Sequence, residues 1–159
     1  MEMGTIARLV VTQRMRKKKS MKVVVASGYF DPIHVGHIEY LELAAKQGDW
    51  LVVIVNNDKQ AKIKKGKSFM SEEDRVKIVS SLECVDETFL SIDSDSSVCK
   101  SIEEIKPHVF AKGGDRFSNE IPEAEVCRKL KVKIVDNLGE KIRSSSKFTG
   151  IKEKKKSKK

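Results

Sequence analysis

Two uninterrupted apolar runs, Val23-Val24-Val25-Ala26 and Leu51-Val52-Val53-Ile54-Val55, constrain this chain most, because an amphipathic helical segment separates them. A run with no polar alternation reads as a strand covered on both faces, the situation inside a parallel sheet. Parallel neighbours cannot be joined by a tight turn, so a crossover, normally a helix, must lie between them. Val35–Gln47 fits that role, with Ile38, Leu41 and Ala45 on one face and Gly48 as the stop. The alternation continues. Lys59–Ser68 reads as a lysine-rich loop, and Ser71-Glu72-Glu73-Asp74 opens a helix through Leu82 with acids in its first turn. Cys84–Leu90 reads as a strand, Asp95–Ile105 as a helix ending before Pro107, and His108–Lys112 as another strand. Pro122–Leu130 is a helix with proline at its first position, Val132–Val135 is the fifth strand, and Lys141–Ser146 leads into a short final turn or helix. Right-handed crossovers predict an α/β fold, a five-stranded parallel sheet in the order 3-2-1-4-5 with helices on both faces.

Ligands of such sheets bind beyond the carboxyl ends of the strands, where the strand order reverses. The segment there after the first strand is Gly28-Tyr29-Phe30-Asp31-Pro32-Ile33-His34-Val35-Gly36-His37. Backbone amides at a tight turn and a helix N-terminus suit a phosphate group. His34 and His37 are three residues apart, so both can face one side of the first helical turn, and they are two of only three histidines in the chain. After the fourth strand comes a second polar, glycine-containing loop, Lys112-Gly113-Gly114-Asp115-Arg116. It is not a dinucleotide fingerprint, but a double glycine allows close backbone approach to a base or ribose.

The net charge of +9 sits at the ends of the chain. Residues 1–20 carry Arg8, Arg14, Arg16, Lys17, Lys18 and Lys19 against Glu2, and residues 152–159 carry six lysines against Glu153. The body between them is close to neutral. Such blocks are usually disordered, which predicts a basic N-terminal arm (1–20), one folded domain (21–151) and a lysine-rich tail (152–159). Arms of this kind leave open a nucleic-acid-binding protein, whose affinity would fall steeply with salt. No apolar run approaches the ~20 residues of a membrane span, and residues 1–20 lack the apolar core of a secretory signal. Cys84, Cys99 and Cys127 have no metal-ligand spacing and read as buried thiols of a reducing, cytoplasmic compartment.

The turn from Gly28 to His37 resembles the signature of the cytidylyltransferase-like nucleotidyltransferases, whose members include glycerol-3-phosphate cytidylyltransferase and heptose-1-phosphate adenylyltransferase. The resemblance spans about residues 21–147. Asn57-Asp58, Glu72 to Arg75, Gly113-Gly114-Asp115 and Ile142-Arg143-Ser144-Ser145 follow in the expected order. It implies a Rossmann-like sheet and transfer of a nucleoside monophosphate from ATP or CTP to a phosphorylated small molecule, a sugar or polyol phosphate. Pyrophosphate would be released, and Mg²⁺ would be held by the nucleotide phosphates rather than by protein ligands. A homodimer is expected. The acceptor phosphate attacks the α-phosphorus in line, so catalysis is positioning and electrostatic stabilisation with no covalent intermediate. A nucleotide-binding module that has lost catalysis is the silent alternative, against which the intact histidine pair argues.

By the same resemblance, His34, His37 and Lys64 stabilise the transition state, while Gly28, Tyr29, Phe30 and Lys67 contact the nucleotide phosphates. Gly113 and Asp115 approach base and ribose, and Ser144 and Ser145 hold the outer phosphates. Asp31, Arg75 and Arg116 serve the second substrate, Asp31 alternatively orienting the turn itself. Each has a plainer reading. His34 can simply cap the turn, the lysines can form a solvated loop, Arg75 can make a surface salt bridge with Glu72, and the serines can be an N-cap cluster.

Overall fold

The protein is described here by a computed structural model, which describes residues 21–113 and 121–138. In chain order the elements are β1 (Val23–Gly28), α1 (Val35–Ala45), β2 (Trp50–Val55), α2 (Asp58–Lys65), α3 (Glu72–Ser80) and β3 (Glu87–Leu90), followed by α4 (Cys99–Ile105), β4 (Val109–Gly113), α5 (Glu123–Leu130) and β5 (Lys133–Leu138). The five strands form one sheet in the order β3-β2-β1-β4-β5, and every pairing is parallel. The predicted Rossmann-like topology is the observed one.

Alternation along β1 divides the core. Val24 and Ala26 face Tyr40, Leu41 and Ala44 of α1 and Val79 of α3. Val23 and Val25 face Ile102 and Ile105 of α4 and Cys127 of α5. All four β1 side chains are fully buried, which is why this run contains no polar residue. Each such valine contributes roughly 1.5–3 kcal/mol of transfer free energy. Helices therefore cover both faces, as expected.

The lysine-rich segment departs from expectation. Asp58–Lys65 is a helix, not a loop. Asn57 Oδ1 accepts from the Gln60 amide at 2.8 Å, and Gln60 Oε1 accepts from the Asn57 amide at 3.0 Å, a reciprocal cap. Gly66, at φ 91°, closes the C-terminus. Lysine is itself a good helix former, so the capping residues outweigh the charge run. The helix expected from Asp95 starts instead at Cys99. Asp95 Oδ1 accepts from the Ser97 amide and hydroxyl at 3.0 and 2.8 Å, a local turn that competes with helix. Of the cysteines expected to be buried, only Cys127 is; Cys84 and Cys99 are half-buried. Among the described residues no helix is long and apolar enough to cross a membrane. Both basic ends, Lys141–Ser146 and the Gly114–Arg116 part of the second loop lie outside the described residues.

Candidate active site

The site is built on the turn that leaves β1. Phe30 adopts φ 51°, a left-handed conformation that costs energy for a residue with a Cβ. Its ring folds back over Gly28, where a Cβ would meet Phe30 Cζ at 2.8 Å and force the ring to shift. The Asp31-Pro32 peptide is cis. The chain then enters α1 with His34 as N-cap.

The two histidines cap that helix reciprocally. His34 Nδ1 accepts from the Gly36 amide at 3.1 Å, and His37 Nδ1 accepts from the His34 amide at 3.0 Å. The ring centroids lie 4.0 Å apart, and Phe30 stands edge-on to His37 at 5.1 Å. Capping therefore does not compete with a role in phosphate binding. With Nδ1 engaged as an acceptor, the proton of each neutral ring is assigned to Nε2. Burial lowers the pKa of His34, while burial and then the neighbouring His34 lower that of His37 to about 4. Near neutral pH His37 is thus a neutral N–H donor rather than a cation.

Asp31 is shielded completely. Its Oδ2 accepts from Lys65 Nζ and the Phe69 amide, both at 2.8 Å, and its Oδ1 accepts from the Met70 amide at 2.7 Å. Burial pushes its pKa up, but Lys65 and the two amides outweigh burial and hold it below the usual carboxylate value. It fastens the segment between α2 and α3 to the histidine turn. Lys64, one residue earlier, lies with Nζ 5.1 Å from the Tyr29 ring centroid. Lys67 follows Gly66 and is exposed.

Arg75 is fully buried. Its Nε donates to Met70 O at 3.0 Å, Nη1 to Tyr29 O at 2.9 Å and Asn56 O at 2.6 Å, and Nη2 to Asp58 Oδ1 at 2.7 Å. The surface bridge with Glu72 does not form. Glu72 Oε1 instead accepts from the Asp58 amide at 2.7 Å. Four of its five N–H donors are directed at protein oxygens, an arrangement that positions the turn.

Several contributors were not visible from the sequence. Asn56 and Lys65 are two: the Asn56 amide donates to Gly28 O at 2.9 Å and its carbonyl accepts from Arg75, while Lys65 pairs with Asp31. Tyr40 is another: its buried hydroxyl donates to Ala111 O at 2.6 Å and accepts from the Ser27 amide at 3.2 Å. The β1–β4 ladder pairs Val24 with Val109 and Val25 with Phe110 and goes no further, and Tyr40 bridges the two strands just beyond it, at the switch point. Burial pushes the Tyr40 pKa up, so the hydroxyl stays protonated. Gly113 ends β4, opposite Leu138 of β5.

Gly28, Tyr29, Phe30, Asp31, His34, His37, Lys64 and Arg75 are therefore gathered beyond the carboxyl ends of β1 and β2. Gly113 ends the neighbouring strand. Asp115, Arg116, Ser144 and Ser145 lie outside the described residues. Among those described, no group of three or more His, Cys, Asp or Glu side chains is placed to hold a metal ion.

Similarity to known proteins extends over most of the chain. The cytidylyltransferase-like family profile covers residues 25–155. An FAD synthase of Ferroglobus placidus is 47% identical over 113 residues, spanning 71% of this chain and 72% of that protein. The bifunctional protein HldE of Aliarcobacter butzleri is 40% identical over 118 residues, 72% of this chain but 24% of that longer protein. The crystal structure of a lipopolysaccharide core biosynthesis protein from Thermoplasma volcanium superposes with a TM-score of 0.63 at 34% identity, covering 74% of this chain and 96% of that one. A pantoate-beta-alanine ligase from Francisella tularensis, at 14% identity and TM-score 0.56, shares the fold. Fold and family profile agree, and the chain belongs to the cytidylyltransferase-like family of nucleotidyltransferases.

Proposed function

We propose that this enzyme transfers an adenylyl group from ATP to the phosphate of a small molecule and releases pyrophosphate. The observation that carries the proposal is the paired histidine cap, which holds two imidazoles side by side with Nδ1 engaged and the proton on Nε2. ATP rather than CTP is supported by the likeness to FAD synthase and HldE proteins. The first acceptor to test is flavin mononucleotide, whose phosphate ends a polyol chain, because the FAD synthase likeness covers most of that protein's length. A sugar phosphate is the second, supported by HldE.

An acceptor phosphate oxygen attacks the α-phosphorus. The new P–O bond forms as the bond to the α,β-bridging oxygen breaks, and pyrophosphate leaves with that electron pair. His34 and His37 donate from Nε2 to the phosphate oxygens on which charge accumulates, and as neutral donors they lose no proton in the step. Backbone amides of Gly28, Tyr29 and Phe30 line the same turn, and Lys64 and Lys67 add positive charge. Gly113 and Asp115 are assigned to base and ribose, Arg116 to the acceptor phosphate, and Ser144 and Ser145 to the outer phosphates. Arg75 and Asp31 act by positioning. Magnesium, carried in on the triphosphate, would neutralise its oxygens, and such a carried ion needs no cage of protein carboxylates. The proposal includes a single domain over residues 21–151, two such chains in a dimer, and a cytoplasmic setting.

Pyrophosphate release is measured with ATP or CTP against flavin mononucleotide, sugar phosphates and glycerol phosphate. Release is expected with ATP and one acceptor class. A chain acting only through its basic arms, or a silent nucleotide binder, gives none with any pair, and that result overturns the proposal.

A further inference from the structure

Among the described aromatic residues Phe69 alone is exposed, at 74%, while Phe30, Phe89, Phe110 and Tyr40 are buried and Tyr29 and Trp50 are half-buried. One exposed ring is ordinary on a protein surface. What sets this one apart is how its backbone is held. The Phe69 amide donates to Asp31 Oδ2 at 2.8 Å, and the Met70 amide donates to Asp31 Oδ1 at 2.7 Å. Met70 O in turn accepts from Arg75 Nε at 3.0 Å. The Asp31 and Arg75 side chains are both wholly buried. Two buried charged groups therefore fix the backbone that carries the exposed ring. Ordering that backbone costs conformational entropy, and the core gains little from a ring left in water.

The ring's place in the fold is specific. Asp31 belongs to the histidine turn, three positions before His34. Phe69 lies in the segment after β2 and α2, whereas Gly113 ends β4, and β1 with its turn stands between β2 and β4. We propose that the Phe69 ring is the stacking face for the planar ring system of the acceptor and so selects flavin mononucleotide. The inference rests on the adenylyl-transfer reading, which assigns the base to the Gly113 side and leaves the β2 side of the turn for the acceptor. An isoalloxazine presents a conjugated, largely apolar face to an aromatic side chain, and its ribityl chain carries the phosphate on toward the histidines. A sugar or polyol phosphate has no such face.

The test uses the full chain as wild type, Phe69→Ala and Phe69→Trp, with melting curves and calorimetric titration of flavin mononucleotide and of ATP. Phe69→Ala is expected to weaken flavin mononucleotide binding about ten-fold, the size of one lost stacking contact, and to leave ATP affinity within two-fold. Its melting temperature should not fall, because the side chain is exposed. Phe69→Trp keeps a planar face, so it should retain the affinity and quench the fluorescence of the bound flavin. Unaltered flavin affinity in Phe69→Ala overturns the inference, as does failure of the wild-type chain to bind flavin mononucleotide. A loss for ATP as large as that for the flavin places the ring under the nucleotide base and overturns it too. Binding is read without turnover, which separates the two readings. Pyrophosphate release with a sugar phosphate from a chain that binds no flavin sinks this inference and keeps the proposed function. Flavin binding that depends on Phe69, with no release from any pair, does the reverse.

Discussion

Arg75 Nη2 lies 2.7 Å from Asp58 Oδ1, and the guanidinium that makes this contact is wholly buried while the carboxylate is 38% exposed. The pair joins the start of α2 to α3. The other three bonds of Arg75 reach Tyr29, Asn56 and Met70, so one side chain holds the ends of β1 and β2 and the approach to α3 together.

Arg75→Ala is therefore expected to destabilise the fold by about 3 kcal/mol or more, because buried carbonyls lose their donors. Arg75→Lys should recover little, since one ammonium cannot serve four oxygens in a planar fork. Denaturant unfolding measures both. Native stability combined with a raised Michaelis constant for the acceptor would return Arg75 to the substrate.

His37 links the site to pH. Its pKa is about 4 in the folded chain, against 6.5 for an ordinary histidine. The unfolded chain takes up the proton first as pH falls. The stabilising contribution is thus fully present above pH 6.5 and is lost progressively as pH drops through about 4. His37→Gln can still accept from the His34 amide but does not titrate, so its melting temperature should fall less steeply over that range. Parallel melting curves would show that His37 does not titrate this way. His37→Ala should also lower turnover by about 10²–10³, the size of losing one preorganised donor.

Asp31 predicts a local effect. Asp31→Ala removes the acceptor of the Phe69 and Met70 amides and the partner of Lys65. Hydrogen exchange at those two amides should accelerate while the amides of β1 keep their protection. Lys65→Ala alone should cost only about 0.2–1 kcal/mol, because the lysine is partly solvated and its pairing is screened. Uniform exchange in Asp31→Ala would mean that the carboxylate does not fasten this segment.

The parts legible in the sequence share a physical character. Strand order and helix order follow from local patterns, apolar runs and start signals such as Ser71 with three acids behind it, and the histidine turn announces itself by spacing. The misses depend on convergence. Arg75 reads as a substrate contact or a surface bridge to Glu72, and its buried network stays hidden because its partners, Tyr29, Asn56, Asp58 and Met70, meet only after the sheet has formed. The α2 helix was readable: Asn57 with Gln60 three residues on, and Gly66 beyond, are capping signals that the lysine count obscured.

Tyr40 gives the last prediction. Its hydroxyl accepts from the Ser27 amide at 3.2 Å and donates to Ala111 O at 2.6 Å, spanning the gap where β1 and β4 part. The crevice of a doubly wound sheet opens at that gap. Tyr40→Phe leaves a half-buried amide and a buried carbonyl without that partner, which should cost about 1–3 kcal/mol. The ring still fills the core beside Leu41 and Ala44, so the fold should survive. Looser strand ends should then weaken nucleotide binding, raising the Michaelis constant for the triphosphate more than they lower turnover. Unfolding curves and steady-state kinetics on the same preparation check both. A stability loss with unchanged nucleotide affinity would confine Tyr40 to holding the sheet and detach the strand gap from nucleotide binding.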